Sequence, residues 1–84
     1  MKLVVKAIGG RYTVTSESGR KLGRVEGYSL RPNSRRSIWR FIPDYRCAVP
    51  GVGALEAEGY QALMRDLHKA VWECEQSGQP VFRT

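Results

Sequence analysis

Two short turn signals within the first twenty residues constrain the fold of this chain more than any other feature. Gly9-Gly10 follows the apolar run Lys2–Ile8, and Ser18-Gly19 follows Arg11–Glu17, where polar and apolar residues alternate. Such alternation is typical of a half-buried strand, and a glycine pair between two strand-like runs is a strong hairpin signal. Turns this short join only antiparallel neighbours. We therefore expect the chain to start as an antiparallel meander.

The next residues predict two more strands. A third strand at Lys21–Leu30 changes the parity of its apolar positions partway, which indicates a β-bulge near Gly23 or Gly27. Ser37–Ile42 is predicted as the fourth strand, and Arg46–Val49 as a short edge strand or an irregular segment. The polar stretch between the third and fourth strands is a loop by composition, because its proline and asparagine favour turns.

From Ala54 to Ser77 the pattern changes to the helical period. Apolar and small residues recur at spacings of three and four, while most charged residues lie elsewhere on the helical wheel. Glu56 and Glu58 would lie in the first turns, where negative charge suits the helix dipole. The predicted buried stripe consists of Leu55, Gly59, Ala62, Leu63, Leu67, Ala70, Val71 and Cys74.

These elements predict one α+β domain over residues 1–84, because a chain this short has room for one small core. We expect a small antiparallel sheet of three to four strands with one C-terminal helix packed on one face, in the order β-β-β-β-α. This order is similar in architecture to the three-strand-plus-helix domains with which some integrases and plant transcription factors lay a sheet in the major groove. The similarity is one of architecture, and no sequence signature of those families is present.

Charge is distributed unevenly along the chain. Residues 1–46 carry a net charge of +8 and residues 47–84 a net charge of −2, for a total of +6. A patch of one sign concentrates the electrostatic potential and attracts polyanions or acidic surfaces. The sequence therefore predicts a small basic binding module whose partner is nucleic acid, DNA or RNA, or an acidic protein surface.

The arginines between the third and fourth strands supply the candidate nucleic-acid-binding residues. A guanidinium group stays charged and can form two parallel hydrogen bonds with a phosphate. Basic residues after the second turn extend this patch if they project from the same sheet face. The predicted site consists of Arg31, Arg35, Arg36, Arg40, Lys21 and Arg24.

The side chains of the fourth strand can face the core in two ways. Successive residues of a strand point to opposite faces, so Trp39 and Phe41 share one face and Arg40 lies on the other. Either the aromatic residues lie under the helix with Arg40 outside, or they form an exposed platform on which bases stack. We favour the first arrangement, because a small domain needs its large aromatic side chains in the core.

No combination of residues in the sequence indicates catalysis. We expect a binding protein rather than an enzyme, with no cofactor and no metal site, since His68, Cys47 and Cys74 lack a ligand spacing such as C-x-x-C. The apolar run at the N-terminus is too short and too charged for a signal peptide or a membrane span. The sequence thus predicts a cytoplasmic protein with reduced thiols and no membrane partner.

The alternative function is a protein-interaction module, such as a phage or mobile-element inhibitor that binds a host nucleic-acid-processing protein or complex. A second stripe along the predicted helix supports this alternative. If the sheet covers only the leucine and valine stripe beside it, the second stripe is an exposed apolar flank suited to a partner or a homodimer. That stripe contains Tyr60, Met64, His68 and Trp72, and the homodimer contact is predicted through Tyr60, Met64 and Trp72.

Overall fold

The computed structural model describes residues 2–9, 11–29 and 35–77, which form a five-stranded antiparallel sheet and one helix. Each strand pairs with the next one along the chain, so the spatial order is the sequence order. The predicted α+β class with a single C-terminal helix is confirmed. The elements are β1 (Leu3–Ile8), β2 (Arg11–Ser16), β3 (Lys21–Ser29), β4 (Ser37–Pro43), β5 (Leu55–Glu58) and α1 (Tyr60–Ser77).

The core lies between α1 and one face of the sheet, which we call the inner face. Alternation along the strands directs Val14, Val25 and Phe41 to this face, where each is at most 2% exposed. The predicted leucine and valine stripe of α1 packs against them, and the segment between β4 and β5 adds two valines. The buried apolar residues are Val14, Leu22, Val25, Phe41, Val49, Val52, Leu63, Leu67 and Val71.

The change of parity within β3 is a bulge, as the sequence predicts. Val14 of β2 lies opposite Gly23, whereas Thr15 lies opposite Lys21, so Leu22 has no cross-strand partner of its own. The extra residue lets both Leu22 and Gly23 be buried. Gly27 is paired regularly with Trp39 and is not a bulge position.

The fifth strand corrects the predicted start of the helix, because residues 55–58 extend the sheet instead of forming the first helical turn. Leu55 and Ala57 pair with Phe41 and Trp39 of β4 and pack against the core. Gly59 then has a φ of 91°, in the left-handed region that other residues rarely adopt, and it separates the strand from α1. The expectation that two acidic residues occupy the first helical turn is therefore wrong.

Two other strand predictions have different outcomes. The segment at Arg46–Val49 forms turns and bends instead of an edge strand. Its backbone is still anchored, because the Ala48 N–H donates to the Lys21 carbonyl at 3.0 Å. The sequence would also allow residues 81–84 to pair with a sheet edge or to fray, but these residues lie outside the described ones.

Candidate nucleic-acid interface

The face of the sheet turned away from α1, here called the outer face, carries most of the predicted site residues. The strand register brings Lys6, Thr13 and Arg24 into one row across β1, β2 and β3. A second row crosses β3, β4 and β5 and contains Glu26, Arg40 and Glu56. This arrangement confirms that Arg40 lies opposite to the core, as predicted from the alternation of β4.

Arg40 is held in place by two neighbours on the outer face. Its Nε and Nη2 atoms donate to Glu56 Oε2 at 3.1 and 2.9 Å. Nη2 also donates to the Tyr28 hydroxyl at 2.8 Å, and the guanidinium carbon lies 5.5 Å from the centre of the Tyr28 ring. The hydrogen bond with Glu56, followed by the electrostatic interactions with Tyr28 and Glu56, raises the pKa of Arg40 above its ordinary value.

Arg36 forms a two-pronged ion pair with Glu58. Its Nε and Nη2 atoms donate to the two carboxylate oxygens at 2.8 and 3.0 Å. This hydrogen bonding, together with the opposite charge, lowers the pKa of Glu58 and raises that of Arg36. Both side chains are exposed, so solvent screens the attraction and the pair fixes orientation more than it adds stability.

The remaining predicted site residues differ in their surroundings. Arg24 donates to Glu26 at 3.0 Å, and Lys21 lies 3.8 Å from the Asp44 carboxylate. Arg35 is exposed, in a bend two residues before β4. Arg31 lies outside the described residues. The structure therefore places four of the six predicted residues beside carboxylates. Two of these carboxylates, those of Glu56 and Glu58, belong to the acidic second half of the chain.

Two basic residues outside the predicted site lie on the same face. Lys6 is the cross-strand partner of Thr13, and Arg11 begins β2 on the face opposite to the buried Val14. Within the described parts of the chain, neither residue has a carboxylate at salt-bridge distance. Alternation in β1 and β2 could have placed both residues on the outer face, but it could not show that the predicted arginines would pair with acids.

Trp39 belongs to an aromatic cluster on the inner face, which confirms the favoured orientation of β4. Its ring centre lies 5.1 Å from that of Tyr60 and 5.9 Å from that of Tyr12, and both pairs meet edge to face. The indole N–H donates to the Ser37 hydroxyl at 3.1 Å. Trp39 is thus mainly a packing residue, although the cluster reaches the rim of the sheet where Tyr12 is exposed.

The exposed face of α1 is less apolar than the sequence suggests. Tyr60 and Met64 are half-buried and pack against the core, while His68 is exposed. Trp72 alone among the large apolar residues of α1 is more than half exposed, at 58%. The predicted flank therefore reduces to one tryptophan among polar neighbours.

Other kinds of site have little support among the described residues. No group of three or more His, Cys, Asp or Glu side chains there could hold a metal ion. In the same part of the chain, α1 is too polar to cross a membrane. Cys47 and Cys74 are half-buried and form no disulfide.

Comparisons with protein-family models, with curated proteins and with solved structures found no match to this chain.

Proposed function

We propose that this protein is a small basic module that binds the phosphate backbone of nucleic acid through the outer face of its sheet and the adjoining arginine loop. The observation that carries this proposal is the position of Lys6 and Arg11. Both lie on the outer face, beside Arg24, without a carboxylate partner among the described residues. Open cations on a flat sheet suit phosphates, which supply most of the affinity of non-specific nucleic-acid binding.

The acidic residues of the outer face centre the contact on one half of the sheet. Glu56 and Glu58 both lie on β5, at one edge. Their charges repel a polyanion there, and Glu26 of β3 is paired with Arg24, so the proposed contact is centred on Lys6 of β1 and Arg11 of β2. Arg11 lies at the end of the sheet where β3 leads toward β4, and Arg35 is close to that end in sequence. Arg35 thus extends the same contact.

Salt dependence of binding tests the proposal. If about four cations neutralise phosphates of duplex DNA, log K falls against log salt concentration with a slope of about −3 to −4. Fluorescence anisotropy of a labelled duplex, measured over a series of salt concentrations, gives this slope. Binding that ignores salt, or no binding at low salt, would contradict the proposal.

A matched pair of double variants locates the contact on the protein. Lys6→Gln with Arg11→Gln should reduce the magnitude of the slope by about 2, because each lost phosphate contact contributes about 0.9. Arg65→Gln with Lys69→Gln removes the same charge from the exposed side of α1 and should leave the slope unchanged. Equal effects from the two variants would show that only the overall charge matters.

Self-association through α1 is the second candidate function, and the exposure of Trp72 favours it. Tryptophan and arginine dominate the energetics of many protein interfaces. Arg65 and Lys69 precede Trp72, and Glu73 follows it. If two copies pack their helices antiparallel across Trp72, the basic residues of each copy face the acidic end of the other. The exposed side of α1 is therefore complementary to a second copy of itself.

Sedimentation equilibrium distinguishes this second function from the first. A dimer should dissociate in Trp72→Ala, and also in Lys69→Glu, which places like charges opposite each other. A wild-type protein that stays monomeric at high protein concentration would exclude this function.

A further inference from the structure

A small cleft lies at the end of the sheet where β3 and β4 extend beyond the first residue of β2. Its volume is about 200 Å³. Tyr12 and Trp39 line it together with Val25 and Gly27, and its charged lining residues are Arg11, Arg24 and Glu26. The volume is below the about 300–1,000 Å³ typical of sites for drug-sized molecules. The cleft therefore suits a single planar ring system.

The backbone of β3 is open on one side along this cleft. The register between β2 and β3 ends at Tyr12 opposite Val25, whereas β3 pairs with β4 as far as Ser29. Alternate residues of an antiparallel strand direct their N–H and C=O groups to opposite neighbours. Within the described residues, half of these groups between Glu26 and Ser29 thus face no strand, and they can hydrogen-bond to a ligand.

The aromatic wall still has surface available for stacking. Tyr12 is 37% exposed even though its ring meets Trp39 edge to face. Gly27 leaves the cleft open because it has no side chain. Three carbons of the Trp39 indole lie only 2.5–2.6 Å from the position that a Cβ would occupy. A larger residue there would displace the indole and fill the cleft. The cleft thus combines an aromatic wall, open backbone groups and two guanidinium groups, of which that of Arg24 is paired with Glu26 and that of Arg11 has no carboxylate partner among the described residues.

From this combination we infer that the cleft receives one unpaired nucleobase of a single-stranded nucleic acid, stacked against Tyr12, with the flanking phosphates beside Arg11 and Arg24. This inference rests on the proposed function and deepens it. Single strands offer their bases to aromatic side chains, whereas the bases of a duplex are already stacked and paired. The protein should therefore prefer a single strand to a duplex with the same number of phosphates.

Tryptophan fluorescence tests the inference directly. The Trp72→Phe variant leaves Trp39 as the sole tryptophan, because the chain contains two. A short single-stranded oligonucleotide should quench this fluorescence, and a duplex of equal phosphate number should not, at the same salt concentration. If the oligonucleotide and the duplex both bind in a salt-dependent way and the single strand causes no specific quench, the inference is overturned. The proposed function would still stand in that case. No binding of either would overturn both.

Variants of Tyr12 separate stacking from charge and from folding. In the Trp72→Phe background, Tyr12→Leu keeps apolar bulk and should weaken single-strand binding about 5- to 100-fold, the range for losing one stacked base. The salt slope should stay the same, because no charge changes. Tyr12→Phe should retain affinity. Tyr45→Ala, at the opposite end of the sheet and 96% exposed, is the control. An equal loss for single strand and duplex with Tyr12→Leu would contradict the inference.

Discussion

At the scale of single residues, the pairing of Gly27 with Trp39 shapes the rim of the sheet. The two residues are cross-strand partners, and the indole covers the position that a side chain at 27 would need. Glycine is favoured at position 27 because a side chain would have no room there. The backbone conformation does not require it, since the φ of Gly27 is not in the left-handed region. The same contact directs the indole toward Tyr12 and Tyr60.

Gly27→Ala should therefore lower the free energy of unfolding by about 1–3 kcal/mol, the usual cost of overpacking. Denaturant titration, followed by circular dichroism, measures it. Gly53→Ala is the control, because nothing lies within 4 Å of a Cβ at that position. Its effect should stay within about 0.5 kcal/mol. A Gly27→Ala protein as stable as the wild type would show that Trp39 does not rest on residue 27.

The ion pair of Arg36 and Glu58 predicts a pH effect at the same scale. Because the folded state holds the pKa of Glu58 below its ordinary value, the pair stabilises the fold above the unfolded pKa. This contribution is lost as the pH falls through the folded-state pKa. Carbon-detected NMR should show that the pKa of Glu58 is lower than that of an ordinary glutamate, which is about 4.3. Arg36→Gln should raise the pKa of Glu58, whereas Arg35→Gln should change it little.

At the scale of secondary-structure elements, β5 shows how two periodic patterns compete. Residues 54–58 contain good helix formers, and Leu55 continues the spacing of the helical stripe. The same residues also alternate, with Leu55 and Ala57 toward the core and two glutamates outward. The sheet prevails because Leu55 and Ala57 bury apolar surface against Phe41 and Trp39, while the exposed ion pairs of the two glutamates fix orientation more than they add stability.

Substitution of Gly59 distinguishes the two patterns by the sign of the change in the free energy of unfolding. In a continuous helix, Gly59→Ala would stabilise the protein by about 1 kcal/mol, through helix propensity. In the observed fold, Gly59 has a φ of 91°, so alanine should destabilise it by about 1–2 kcal/mol. Thermal and denaturant unfolding both report this sign. Ala62→Gly, at a half-buried position inside α1, serves as the reference for a substitution that lowers helix propensity.

At the scale of the whole molecule, folding redistributes the charge asymmetry of the sequence. The acidic second half returns along β5 and pairs with arginines of the basic first half. The outer face is consequently mixed in charge over β4 and β5. Its open cations lie on β1 and β2, where Lys6 and Arg11 have no acidic partner among the described residues.

Removing the acids of β5 should therefore strengthen polyanion binding. Glu56→Gln with Glu58→Gln raises the net charge by two and removes the carboxylates beside Arg40 and Arg36, so the magnitude of the salt slope should rise by up to about 2. Asp66→Asn with Glu73→Gln makes the same change of charge on α1 and should leave the slope unaltered. A stronger effect from the α1 variant in the anisotropy assay would place the contact on the helix.

The sequence by itself determined the local elements of this protein. Glycine turns predicted the first two hairpin connections, parity predicted a bulge near Gly23 or Gly27, and spacing predicted the buried stripe of Leu63, Leu67 and Val71. Alternation placed Trp39 and Arg40 on opposite faces, and the need for a core favoured Trp39 on the inner one. These features depend on residues close together in the chain, where backbone geometry relates sequence spacing directly to direction.

Only the tertiary structure decided the fifth strand and the pairing of charges. Arg40 and Glu56 are 16 residues apart in the sequence, and Arg36 and Glu58 are 22 apart. No local period relates such residues, because their contact depends on which strands become neighbours and in which register. The rim cleft arises in the same way, since it exists only because β3 extends past the end of β2.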